Sequence, residues 1–69
     1  MRKVVYKDFY SGQYLPNYTE LGYFHEWITN SPNGIFALIE NQDGTMRVVN
    51  ISGMKFVEEF PQKGEVKET

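Results

Sequence analysis

The stretch "IENQDGTMRVVN", residues 39–50, is typical of two β-strands joined by a tight turn. Asp43-Gly44 at its centre predicts a two-residue type I′ turn, because glycine adopts the positive φ that this turn requires without a steric cost. The residues on either side are largely apolar or β-branched and suit a pleated strand. The sequence therefore predicts a β-hairpin centred on Asp43 and Gly44.

Two features before this hairpin extend the predicted sheet. The run "IFALI", residues 35–39, would be apolar on both faces of a strand, which predicts a central position. "SPNG", residues 31–34, has proline second and glycine fourth, as a type I turn prefers, so it is predicted to close another hairpin. The preceding "GYFHEWITN", residues 22–30, alternates without one purely apolar face. We predict a strand there, with a short helix over residues 23–28 as the alternative.

The remaining segments complete a pattern of five strands. "KVVY", residues 3–6, predicts the first strand and "MKFVEEF", residues 54–60, the last, with room for one 3₁₀ turn at "ISG" before it. Between the first strand and Leu21, the stretch "DFYSGQYLPNYTE" contains Gly12 and Pro16 and predicts a long irregular loop. Residues 61–69 are polar and are predicted to form a flexible charged tail.

These elements predict a mainly β fold: a small five-stranded barrel or half-barrel with a long first loop, forming a single domain over residues 1–60. The strand count and the loop lengths resemble the SH3-like barrel over residues 3–60. An OB-fold would need a helix between its third and fourth strands, for which the Asp43-Gly44 turn leaves no room. Pairing between edge strands of two copies would also allow a homodimer.

The composition limits how so small a fold can be stabilised. Because the chain has no cysteine, disulfides and thiolate metal sites are excluded, and its one histidine cannot supply a zinc site. Five Phe, five Tyr and one Trp make 16% of the chain aromatic, so ring packing is the predicted source of stability. No metal and no cofactor are predicted.

The charge distribution disfavours a nucleic-acid duplex as partner, because duplex binders need clustered cations to displace counterions. No Lys or Arg lies between residues 8 and 46, and that span carries the carboxylates of Asp8, Glu20, Glu26, Glu40 and Asp43. The longest apolar run is far shorter than the roughly 20 residues of a membrane helix, so no membrane partner and a cytoplasmic location are expected.

Catalysis is not predicted. His25 is the only side chain whose ordinary pKa lies near neutrality. Its neighbour Glu26 would point to the opposite face of a strand and could not orient the imidazole. No nucleophile motif, phosphate loop or metal-ligand series accompanies it, so the sequence predicts a protein that is not an enzyme.

The aromatic residues outnumber the positions of so small a core, and this surplus predicts a protein-interaction module. Tyrosine and tryptophan are enriched at interfaces, since they bury a large area at a low cost in conformational entropy. Two carboxylates near them would favour a basic protein or peptide. The predicted partner-binding residues are Tyr10, Tyr14, Tyr18, Trp27, Glu20 and Glu26.

Two sequence resemblances bear on this prediction. "YFHEW" followed by "ALIENQDGTMRVVNISGMKFVE" resembles short proteins of bacterial prophages and other mobile elements, over residues 23–58. That group implies no particular activity. "YKDFY", residues 6–10, resembles the ALYDY stretch of SH3 domains but lacks its Ala-Leu start and its following acidic run, so proline-rich peptides are not predicted ligands.

Two other functions compete with a protein-interaction module. A single-stranded nucleic-acid binder would stack bases on the same aromatic residues with the help of Arg2, Lys3, Lys7 and Arg47. A phage-encoded inhibitor would instead direct the acidic span against a host enzyme. The nucleic-acid binder predicts that binding depends strongly on salt. The inhibitor rests on the mobile-element resemblance.

Overall fold

The computed structural model of the protein describes residues 1–61 and contains five strands and one 3₁₀ turn. The elements are β1 (Lys3–Tyr10), β2 (Gln13–Ile28), β3 (Phe36–Asn41), β4 (Met46–Asn50), the 3₁₀ turn (Ile51–Gly53) and β5 (Met54–Val57). All pairings are antiparallel, and the strand order is β4-β3-β2-β1-β5. The predicted mainly β, five-stranded fold and the 3₁₀ turn are confirmed. The sheet is not closed, so the closed-barrel alternative is wrong.

The domain boundary at residue 60 stays a prediction. Apart from Pro61, the tail predicted for residues 61–69 lies outside the described residues. Among residues 1–61, no helix has the length and apolar character needed to cross a bilayer.

Strand β2 is the middle strand and belongs to both halves of the sheet. It pairs with β1 from Gln13 to Tyr23 and with β3 from Gly22 to Ile28. A bulge between Phe24 and Glu26 interrupts the second pairing, and such bulges increase the local bend and twist of a strand. The strand predicted over residues 22–30 is therefore confirmed, and its helical alternative is wrong.

Val5 is buried on one face of the sheet, and the main core cluster lies on the opposite face, which we call the inner face. It consists of Val4, Tyr6, Ala37, Ile39, Val49 and Met54, with Tyr14, Phe24 and Phe56 packed against them. The opposite, outer face carries the alternate residues of each strand. Strand β3 lies inside the sheet, one strand away from the central position predicted for it, and both Ala37 and Ile39 are completely buried. The alternation of side chains along residues 35–39 predicts Ile35 on the same face as Ala37 and Ile39. Ile35 instead precedes β3 and is 44% exposed.

The long irregular first loop predicted for residues 8–20 is wrong, because these residues form a β-hairpin. Strand β1 continues to Tyr10, β2 begins at Gln13, and the turn between them has Ser11 at φ 53° and Gly12 at φ 84°. Two positive φ values are the requirement of a type I′ turn. Pro16 is accommodated because it lies in a bulge, where its missing N–H removes no ladder hydrogen bond.

The turn between β3 and β4 is also of a different type from the one predicted. Gly44 N–H donates to the Asn41 carbonyl at 2.9 Å, and Asn41 N–H donates to the Thr45 carbonyl at 2.8 Å. Gly44 has φ 91°, whereas Asp43 is not among the residues with positive φ. The three-residue loop is therefore a type I turn followed by a glycine bulge, and the prediction of a type I′ turn here is wrong.

Asp43 makes this turn sensitive to pH. Its Oδ1 accepts hydrogen bonds from the Thr45 hydroxyl at 2.6 Å and from the Thr45 N–H at 3.0 Å, and these two bonds hold the pKa of Asp43 below its usual value. A carboxyl with a lowered pKa stabilises the fold above its ordinary pKa of about 4, and this contribution is lost as the pH falls through the folded-state pKa.

We expect Asp43→Asn to flatten the acidic side of the stability profile, because the stability that depends on ionised Asp43 is then missing at every pH. Urea denaturation of the wild type and the variant, in steps between about pH 2 and pH 6, measures this. Thr45→Val is the companion variant, since it removes the hydroxyl donor and keeps the N–H. Identical acid profiles for wild type and Asp43→Asn would contradict the assigned cause.

Candidate functional site

A cleft of about 400 Å³ lies between the free end of the β1–β2 hairpin and strand β4. It exists because β5 pairs with β1 only up to Tyr6, so β1 continues beyond its neighbour. Strand β4 pairs with β3 alone within residues 1–61. The lining residues are Lys7, Phe9, Tyr14, Phe36, Arg47, Val48, Val49 and Asn50.

Tyr14 holds the hairpin against the end of β4. Its hydroxyl accepts a hydrogen bond of 2.9 Å from the N–H of Asn50, and its ring packs over Gly53. A Cβ at Gly53 would lie 3.2 Å from the ring, which is closer than an ordinary contact, so a larger residue would require the ring to shift by a few tenths of an ångström. Phe9 meets Tyr14 edge to face, with the ring centroids 5.0 Å apart. The wall of the cleft is thus anchored at a defined position.

The hydrogen bonds at both ends of the β3–β4 pair decide which backbone groups of β4 face the cleft. Ile51 N–H donates to the Ile35 carbonyl at 2.9 Å, and Asn41 N–H donates to the Thr45 carbonyl. In an antiparallel pair, alternate residues point their N–H and C=O toward the partner strand. Every second residue from either end bonds toward β3, and Arg47 is one of these residues. The backbone N–H and C=O groups of its two neighbours in the chain therefore point outward, away from β3.

Val48 is consequently the central residue of the free edge of β4. The outward N–H of Asn50 agrees with this phase, since it is the group that donates to Tyr14. At Met46 and Val48, no other described strand pairs with the outward backbone groups. The Val48 side chain is 55% exposed. An extended segment lying in the cleft could therefore pair with Val48 and contact its side chain.

Both charged residues that line the cleft are cations, Lys7 and Arg47. The Arg47 guanidinium lies 5.7 Å from the ring centroid of Tyr6 and 3.9 Å from Oδ1 of Asp8. The side chains of Arg47 and Asp8 are each more than 40% exposed, and contacts of this kind between exposed charges are weak. Arg47 therefore remains able to bind another carboxylate.

Tyr6 forms part of the core next to Arg47. Its hydroxyl donates to Oδ1 of Asn41, and Nδ2 of Asn41 donates to the Thr45 hydroxyl at 3.0 Å. Burial raises the pKa of Tyr6, although Arg47 and the bond to Asn41 oppose this rise. The phenol is thus a neutral structural donor that links β1 to the β3–β4 turn.

The six residues predicted to bind a partner do not form one surface. Tyr14 is the only one that lines the cleft, and much of its ring is used in packing. Tyr10 is 70% exposed at the tip of the hairpin. Tyr18 lies beside the ammonium groups of Lys7 and Lys55, which are 5.0 and 4.8 Å from its ring centroid.

The other three predicted residues lie farther along β2. Trp27, 41% exposed, pairs with Ala37 near the end of the strand and packs on Phe24, with the ring centroids 4.8 Å apart. Glu26 is exposed on the same part of β2. Glu20 borders a second depression of about 360 Å³, which also contains Asp43. This depression is acidic and is separate from the cleft.

His25 has a partner that the sequence reasoning missed. Its Nε2 lies 2.8 Å from Oε1 of Glu40 on the neighbouring strand, and both side chains are about one third exposed. The pairing of β2 with β3 brings the two together, since Tyr23 is the cross-strand partner of Glu40. Glu26 is the neighbour of His25 in sequence, whereas the pairing of β2 with β3 makes Glu40 its neighbour in space.

The sequence reasoning also missed the cleft itself, and above all Val48. The usable signal was Ser11-Gly12, a turn dipeptide between two segments rich in aromatic residues. Recognised as a hairpin turn, it would have placed Phe9 and Tyr14 across from each other. Within residues 1–61, no group of three or more His, Asp or Glu side chains could hold a metal ion.

Comparison with known proteins identifies no relative. No protein-family model, curated protein or solved structure matches the chain. The geometry and charge of the cleft are therefore the basis for a functional proposal.

Proposed function

We propose that the chain is a cytoplasmic protein-interaction module of phage or mobile-element origin that binds an extended segment of a partner protein. The carrying observation is the cleft between the anchored β1–β2 hairpin and the free edge of β4. Its walls expose apolar surface, since Phe9 is 49% and Val48 55% exposed. Surfaces of this kind in a small protein favour a binding partner that removes them from water.

The proposed architecture is an SH3-like half-barrel. The strand order β4-β3-β2-β1-β5, the 3₁₀ turn before β5 and the use of β2 in both halves of the sheet support this assignment. The first connection departs from the sequence-based expectation, because it is a paired hairpin. In this arrangement the hairpin supplies one wall of the cleft and β4 the other.

A displayed library of random linear peptides tests the proposed binding. The peptides should be about ten residues long, enough to pair along the whole of β4. We expect the immobilised chain to enrich a set of related peptides and Phe9→Ala to lower their affinity about tenfold, because it removes an exposed apolar wall. Enrichment is counted by sequencing, and affinities are measured by fluorescence anisotropy.

Leu15→Ala is the matched control for this experiment. Leu15 is 39% exposed on the same hairpin but does not line the cleft, so its removal should leave peptide affinity unchanged. Circular dichroism establishes that both variants keep the β fold. The proposal fails if no peptide is enriched, or if Phe9→Ala and Leu15→Ala bind the enriched peptides as the wild type does.

One observation favours single-stranded nucleic acid as a second candidate partner. Lys7 and Lys55 flank Tyr18, and the Lys3 ammonium lies 5.9 Å from the ring centroid of Phe60. Arg2 and Arg47, which the sequence reasoning added to this group, instead lie over the rings of Phe56 and Tyr6. Lysines beside aromatic rings suit a strand that offers phosphates and bases together.

Fluorescence anisotropy with labelled single-stranded oligonucleotides at low salt decides on this candidate. Binding through the lysines would weaken steeply as salt is added and would be reduced by Lys55→Gln. Lys55 does not line the cleft, so Lys55→Gln should leave peptide binding unchanged, and the two candidate functions can be tested separately. Absence of binding at low salt eliminates the second candidate.

A further inference from the structure

We propose that the cleft binds its partner by β-strand addition to the free edge of β4, and that the bound segment carries an acidic and an apolar residue two positions apart. This inference rests on the proposed function and specifies its binding mode and its partner. The edge is defined by Val48, whose outward N–H and C=O face the cleft. An added strand would pair with these groups.

The pairing geometry decides which side chains of the partner enter the cleft. Residues directly opposite each other in a sheet share a face. Arg47 and Val49 lie on the inner face of β4, on either side of Val48. The two partner residues that flank the one opposite Val48 would therefore lie beside Arg47 and Val49. Because they are separated by one residue, the motif is acidic-x-apolar or its reverse.

Charge complementarity favours an acidic segment over a second copy of this chain. Lys7 and Arg47 border the cleft, and no carboxylate lines it. A carboxylate beside Arg47 would compete only with the weak contact to Asp8 at 3.9 Å. The apolar position would lie beside Val49, which is itself buried, and would be covered by Phe9, which is 49% exposed and lines the same cleft. A second copy that paired through its own β4 would bring another Arg47 to the cleft and no carboxylate.

The backbone part of the proposal is tested at Val48. Val48→Pro removes the outward N–H but no hydrogen bond to β3, and proline is tolerated on the free side of an edge strand. Val48→Thr keeps the N–H and nearly the same side-chain shape. For peptides enriched by the wild type, we expect about a tenfold loss of affinity with Val48→Pro and little change with Val48→Thr.

Methylation of the peptide backbone tests the same point without altering the protein fold. Two versions of an enriched peptide are made, one N-methylated at its odd positions and one at its even positions. One version should lose binding and the other should keep it, since only alternate N–H groups of the peptide face β4. Equal binding of both methylated peptides, together with full affinity of a folded Val48→Pro variant, would overturn strand addition.

The charge of the partner is tested by reversing the charge of the site. We expect the wild type to enrich the acidic-x-apolar motif and Arg47→Glu to enrich basic residues at the acidic position. Glu59→Lys, an exposed charge reversal away from the cleft, should leave the motif unchanged. Enriched peptides without acidic residues, or the same motif with Arg47→Glu, would overturn the inference and leave the proposed function standing.

Two other results would count against this inference. If no peptide is enriched, both the proposed function and this inference fail. If sedimentation shows a concentration-dependent dimer of the free chain that Val48→Pro dissociates, the edge of β4 belongs to a second copy and the acidic partner is wrong. A monomer with the expected peptide selectivity supports the proposal.

Discussion

Replacing Ile39 with alanine is expected to lower the free energy of unfolding by about 3 to 4 kcal/mol, within the range measured for large-to-small changes in protein cores. Ile39 is completely buried between core residues of three strands. The substitution removes apolar contacts and leaves a cavity that a sheet cannot easily close. Since a chain of this length is stabilised by only about 3 to 10 kcal/mol, much of the total stability is lost.

Ile35→Ala is the matched control for this prediction. It is the same chemical change, four residues earlier in the chain, at a side chain that is 44% exposed. We expect it to cost less than about 1 kcal/mol, because an exposed side chain loses few contacts and leaves no cavity. Urea unfolding followed by circular dichroism measures both variants. Equal losses for the two would show that Ile39 is not the core residue described above.

Gly22→Ala is expected to destabilise the fold by about 2 kcal/mol through overpacking. An added Cβ would lie 2.5 Å from Cγ2 of Ile39 and 2.9 Å from the carbonyl oxygen of Glu40. The second contact is with backbone, so it cannot be relieved by a side-chain rotation. Gly22 pairs with β1 on one side and with β3 on the other, and β3 would have to move away from β2.

Asn17→Ala controls for the change of residue type in β2, because Asn17 is exposed on the same strand and should tolerate alanine within about 0.5 kcal/mol. A double variant sharpens the test. Ile39→Ala removes the Cγ2 atom that the new methyl group would strike, so the combined loss with Gly22→Ala should be smaller than the sum of the two. Additive losses would mean that the contact with Ile39 is not the cause.

Short-range signals in the sequence identified most elements of this fold. Pro32 and Gly34 mark the turn before β3, Gly44 marks the turn after it, and alternating apolar residues mark the strands. These signals are local because a turn needs particular φ values at one or two residues, and a strand has a side-chain period of two. They predicted five strands, and residues 1–61 contain five.

The details that failed depend on how two neighbouring strands pair with each other. The pairing of Asn41 with Thr45 makes the Asp43 turn a three-residue loop, where the sequence predicted two residues. By local preference Pro16 breaks a strand, yet the bulge opposite Asp8 accommodates it inside β2. A bulge is a property of two strands together, so no pattern within one segment reveals it.

The sequence alone determined where the turns before and after β3 lie and roughly where the five strands lie, because these follow from local backbone preferences and from the alternation of apolar residues. It did not reveal the hairpin between β1 and β2. Only the tertiary structure decided that Ile39 is buried while Ile35 is exposed, and that Phe9 and Val48 face one cleft. The cleft arises because β1 extends beyond its partner β5 and approaches β4, a strand that is far away in sequence. Relative strand lengths and long-range pairing create this site, and neither is encoded in a single segment.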